Sequence, residues 1–106
     1  MKKQDSNIAK HVKQAVLEVS PTAQLILFGS RARGDAKPDS DWDFLVLVDK
    51  ENITQKDEMD FMDKIYPIEL SSGENITKFI YSKNEWENKY AITSFHKNVM
   101  REGIVL

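Results

Sequence analysis

The sequence predicts an α+β, or mixed α/β, domain. Apolar residues recur at helical spacing early in the chain and again after Thr54, short apolar runs between them read as strands, and the two kinds of segment alternate. A length of 106 residues suits one domain with a real core and leaves no room for a second. Hydrophobic residues at 41% and charged residues at 30% keep the composition outside the disordered regime.

Ile8, Val12, Ala15, Val16 and Val19 line one face of a helix expected over 7–19, with Ser6 as its cap and Pro21 beyond its end. Leu25–Phe28 is a short strand. Ser30–Ser40 is a polar loop in which Gly34-Asp35 and Lys37-Pro38-Asp39 carry turn chemistry, and Ser30 is placed to cap a short helical turn. Asp43–Val48 is apolar on both faces and rich in β-branched residues, so it reads as the central strand, covered on both sides. Thr54 and Asp57 form a capping arrangement for a helix of about a dozen residues carrying Met59, Met62, Ile65 and Tyr66, with the two methionines read as core. Pro67 should stop it. Ile68-Glu69-Leu70 then reads as a strand, and the turn Ser71-Ser72-Gly73-Glu74 joins it in a hairpin to a strand over 76–81. Ser82 with Glu85 opens a short helix carrying Trp86 and Tyr90, and Thr93–Glu102 is the last helix, ended by Gly103.

Bulk properties exclude several function classes. A formal charge of −2 and no basic field argue against direct nucleic-acid binding. With no cysteine, and with His11 and His96 far apart, an oxygen-only metal site is what remains. No run approaches membrane-spanning length and the N-terminus lacks an apolar signal core, which makes cytoplasmic the default location.

The chemistry concentrates between Leu25 and Asp49. Gly29-Ser30 follows the first apolar run, and small residues with free backbone N–H groups at a strand end let a phosphate approach closely. Asp41 and Asp43, at i and i+2 of a strand, put two carboxylates on one face with Cα atoms about 6.6 Å apart. Two hard oxygen ligands beside a phosphate cradle suit Mg²⁺. Arg31 and Arg33 are both potential phosphate clamps; only one can easily face the crevice, and Arg33 is favoured, against the plainer role of pairing with Asp35 or Asp39. Trp42 reads as packing rather than base stacking, Lys37 is exposed, and Asp49 lies at the solvated far end of the strand.

Gly29-Ser30-Arg31-Ala32-Arg33-Gly34-Asp35 followed by Ser40-Asp41-Trp42-Asp43 resembles the core motif of the minimal nucleotidyltransferases of the DNA polymerase beta superfamily, and the Arg101-Glu102-Gly103 ending is similar to that of the minimal group. The resemblance implies a nucleotidyltransferase fold, a small mixed sheet flanked by helices, with the Gly-Ser motif holding the triphosphate and three carboxylates holding divalent metal. It places the third carboxylate on a neighbouring strand, for which Glu69 is the candidate, although the family usually has Asp there. It implies two Mg²⁺ ions and ATP as donor. The reaction expected is transfer of AMP to an acceptor hydroxyl. Because the chain has no room for an acceptor domain, the acceptor is expected on a partner, which in the minimal group is a small helical HEPN-domain toxin silenced by adenylylation of a tyrosine. Two alternatives stand beside this: a nucleotide-binding antitoxin or regulatory module without chemistry, and a homodimeric small-molecule nucleotidyltransferase.

Overall fold

The computed structural model describes residues 3–106, with side chains from residue 7 onward. Helix α1 (Lys3–Val19) begins before the expected Ser6 cap, whose side chain lies outside the described residues. Strand β1 (Gln24–Phe28) and strand β2 (Trp42–Val48) follow as expected, and between them lies the single turn α2 (Ser30–Arg33), whose N-cap is Gly29 with no side-chain hydrogen bond, so Ser30 is its first residue rather than its cap. Next come α3 (Gln55–Ser72), β3 (Ile76–Ser82), α4 (Lys83–Asn88), α5 (Ser94–Glu102) and the two-residue β4 (Ile104–Val105). The sheet order is β3-β2-β1-β4; β2 is parallel to β3, and β1 is antiparallel to both β2 and β4.

The expectation of a doubly covered central strand holds. Trp42, Phe44, Val46 and Val48 pack with Leu25 and Leu27 beneath Ile8, Val12 and Val16 of α1 and Phe61 and Ile65 of α3. Leu45 and Leu47 face the other way, with Ile26 and Phe28, toward Trp86 of α4 and Val99 of α5. Alternation along β2 therefore assigns each residue to one of two helical layers.

The second half of α3 departs from the sequence reading. Pro67 lies inside the helix rather than ending it, so Ile68-Glu69-Leu70 is helical and no hairpin forms. A mid-helix proline costs about 3 kcal/mol, but Phe61, Ile65 and Ile68 continue one apolar face across it, and their burial outweighs the lost hydrogen bond. The helix closes at Gly73, whose N–H bonds to the Glu69 carbonyl. It is thus the crossover that a parallel β2–β3 pair requires. Met59 and Met62 are not core: with Tyr66 and Leu70 they form an exposed apolar stripe along α3.

The start of α3 is as expected. The Thr54 hydroxyl accepts from the Asp57 N–H, the Asp57 carboxylate accepts from the Thr54 N–H at 2.9 Å, and the Lys50 ammonium donates to both carboxylate oxygens at 2.8 Å. These donors hold the Asp57 carboxyl at about 2, against an ordinary 3.8. Because the folded state depresses this value, its contribution is fully present above pH 3.8 and disappears as pH falls through about 2. Linkage sets an upper bound of about 2.5 kcal/mol, and access of water to the pair reduces this to about 1 kcal/mol. Urea denaturation of Asp57→Asn should show that loss at pH 7 and a shrinking difference from wild type toward pH 2.

Candidate active site

Register builds the site. Phe28, the last residue of β1, lies opposite Asp43, near the start of β2, so the Gly-Ser turn and the aspartate pair meet at one sheet edge. Gly29 takes φ +75°, and a Cβ there would run into Oδ2 of Asp43. The absence of a side chain at Gly29 thus lets the Asp43 carboxylate lie directly against the Gly-Ser turn. Ser30 opens α2, so its N–H has no intrahelical acceptor, while the Gly29 carbonyl accepts from the N–H groups of Ala32 and Arg33 at 3.0 Å.

Trp42 anchors the pair from behind. Its buried ring stacks on Phe44 at 6.1 Å, within the α1 and α3 layer, while Asp43 turns to the opposite face. Asp41 is exposed and Asp43 is half-buried. Burial, then the neighbouring charge of Asp41, push the Asp43 carboxyl above its ordinary value; the Arg33 guanidinium opposes this and Glu102 adds to it.

The two arginines have separate tasks. The Arg31 side chain is only 8% exposed, lies over the Trp42 ring at 4.9 Å, and donates to the carbonyls of Ser40 at 2.9 Å and Pro38 at 3.3 Å, with Glu74 at 3.6 Å. It braces the loop that delivers Asp41. Arg33, 46% exposed, stands at the crevice, donating to Glu102 at 3.0 Å and Asp35 at 3.3 Å. Those hydrogen bonds raise its proton affinity further.

Glu69 is not part of this constellation. It sits on α3 and pairs with Lys78 at 2.8 Å, and Lys78 aligns with Phe44 on the sheet face covered by α1 and α3. Asp43 belongs to the other face, where its neighbour on β3 is Thr77. The cause is Pro67: once α3 runs through it, the strand beside β2 is 76–82, and it brings a hydroxyl where a third carboxylate was expected. Among the described residues no three His, Cys, Asp or Glu side chains converge as a metal site. The donor set fits one Mg²⁺, which Asp41 and Asp43 would hold through carboxylate oxygens. It does not fit a second, independently ligated ion.

One contributor went unassigned at the sequence level. Glu102 accepts a hydrogen bond from the Gly29 N–H at 3.2 Å as well as from Arg33. The only sequence signal for it was the Arg-Glu-Gly ending.

The nucleotidyltransferase domain family matches this chain over residues 7–105. The chain belongs to that family. A Methanocaldococcus jannaschii protein, named as a candidate protein adenylyltransferase, is 38% identical over 86 residues, covering 78% of this chain and 76% of its own length. A crystal structure of a candidate nucleotidyltransferase from Sulfolobus solfataricus aligns over 99% of this chain and 87% of its own with a TM-score of 0.49 and 20% identity. Among the described residues no helix of this nucleotidyltransferase-domain protein is long and apolar enough to cross a membrane.

Proposed function

We propose that the protein transfers AMP from ATP to a hydroxyl on a protein acceptor. The observation that carries this reading is the packing of Asp43 against Gly29, which joins a phosphate turn and a carboxylate pair in one crevice. The family assignment supports the reaction class, and the name of the archaeal relative supports an adenylyl donor and a protein acceptor.

In this reading the Ser30 N–H and hydroxyl donate to the triphosphate, Gly29 lets the backbone approach it, and Arg33 offsets phosphate charge. Asp41 and Asp43 would hold one Mg²⁺, which when bound supplies charge neutralisation of the phosphates. The acceptor oxygen bonds to the α-phosphorus, the α–β phosphoanhydride bond breaks, pyrophosphate leaves, and the hydroxyl proton passes to water. The chain contributes mainly positioning. The acceptor is a tyrosine of a small helical HEPN-domain partner, and the Met59, Met62, Tyr66 and Leu70 stripe is apolar surface available for such a contact. Incubation with ATP, Mg²⁺ and a HEPN-domain protein should add the mass of one AMP to that protein; the absence of both added mass and a complex would count heavily against the proposal.

The Thr77 position favours a second reading, a module that binds Mg²⁺·ATP and its partner without transfer. Thr77→Asp separates the two. If the chain is an enzyme slowed by the missing carboxylate, wild type turns over and the variant should be about tenfold or more faster, the gain expected of a positioned acid–base group. In the module reading wild type gives no adenylylated product while binding nucleotide, as calorimetry and intact-mass analysis would show.

A further inference from the structure

We propose that Glu102 is a positioning residue that sets the phosphate turn and Arg33 before nucleotide arrives. The inference deepens the functional reading above and rests on nucleotide binding at that turn.

Three independent observations converge on this side chain. Its carboxylate, 15% exposed, spans two groups of the turn: Oε1 accepts from the Gly29 N–H at 3.2 Å and Oε2 from Arg33 Nη1 at 3.0 Å. Its placement is also fixed by the sheet, because β4 pairs Ile104 with Leu27 and Val105 with Ile26, and the same register carried two residues further brings Glu102 opposite Gly29. Gly103 makes this close passage possible, since a Cβ there would lie 2.7 Å from Cγ2 of Ile26 and 2.5 Å from the Val99 carbonyl oxygen. Finally, Glu102 is the last residue of α5, where the helix dipole disfavours an acid. An acidic residue kept against its local preference, inside a two-point bridge, fits a role set by the turn rather than by the helix.

The physical consequence is preorganisation. Without the bridge, Gly29 would sample the wide conformational range open to glycine, and Arg33 would be held only by exposed Asp35. With it, the Gly29 N–H is already occupied, so the donors left for phosphate are those of Ser30, aimed by a fixed peptide. Glu102 also adds negative charge beside Asp43, which favours a magnesium-bound nucleotide over a bare one.

The test is calorimetric titration of Mg²⁺·ATP into wild type, Glu102→Gln and Glu102→Ala, alongside amide exchange at Gly29 followed by NMR. Glu102→Ala should bind about tenfold more weakly. Glu102→Gln keeps an acceptor oxygen for the Gly29 N–H, so it should recover part of that loss, and Gly29 exchange should accelerate in the alanine variant only. Equal or tighter binding by Glu102→Ala would overturn the proposal, because the carboxylate would then merely repel phosphate. If wild type binds no Mg²⁺·ATP, the functional reading fails separately, and the exchange data still decide whether Glu102 holds the turn: unchanged Gly29 exchange in Glu102→Ala refutes it.

Discussion

Asp43→Asn is expected to reduce adenylyl transfer by about a thousandfold or more without weakening the fold. The loss follows from the donor set. With only two carboxylates available for the ion, an amide in place of one leaves Asp41, the more exposed of the pair, to hold Mg²⁺ alone, and a thousandfold loss is about 4 kcal/mol of transition-state stabilisation. The fold responds in the opposite sense. Burial and the charges of Asp41 and Glu102 raise the folded-state value of this acid, so its ionised form is less favourable in the native protein than in the unfolded chain. A raised carboxyl contributes stability that is present below its unfolded value and lost as pH rises through its folded one, and an isosteric amide carries no such loss. Steady-state assays with saturating ATP, paired with thermal unfolding, check both halves: activity should collapse while the midpoint stays level or rises. A variant that keeps its activity would remove Asp43 from the metal site.

Much of this site was legible because its determinants are local. The Gly-Ser turn and the two-faced apolar run of β2 are short-range patterns that fix their own geometry once the strand forms, whereas Asp41 lies one residue before β2 and is delivered by the loop that Arg31 braces rather than by the strand. The Thr54 and Asp57 capping box is local in the same way. Pro67 is where local reasoning failed. Its rule is sound for an isolated helix, but buried Phe61 and Ile65 before it and partly buried Ile68 after it pack on the same core, and that packing decides the outcome. From that single override came the misplacement of Glu69, the false hairpin and the missed parallel pairing of β3. Glu102 was illegible for another reason. It meets Gly29 across 73 residues of sequence through the register of a two-residue strand, and no periodicity announces an element that short.

Gly29→Ala should damage the fold and the site together. Two costs add there. The backbone sits at φ +75° and ψ −161°, a region essentially reserved to glycine that costs an L-residue about 1–3 kcal/mol, and the new Cβ would strike Oδ2 of Asp43, forcing the turn and the strand apart. Gly34→Ala shows a positive-φ cost without a collision, because Gly34 sits in the left-handed region at φ +88° and ψ 8° with nothing within 4 Å of the added carbon. It should lose only the conformational part, about 1–2 kcal/mol by urea denaturation, whereas Gly29→Ala should lose about 3–4 kcal/mol and all measurable Mg²⁺·ATP binding. Adding Asp43→Ala to Gly29→Ala removes the colliding carboxylate. Stability should then return to near the Gly34→Ala level while transfer stays absent, since the atom that makes the methyl intolerable is the one that would hold Mg²⁺ in the proposed reaction. Equal losses for the two glycine variants would mean that Asp43 swings clear of the turn, and the close contact between phosphate turn and carboxylate pair would not be a fixed feature of the site.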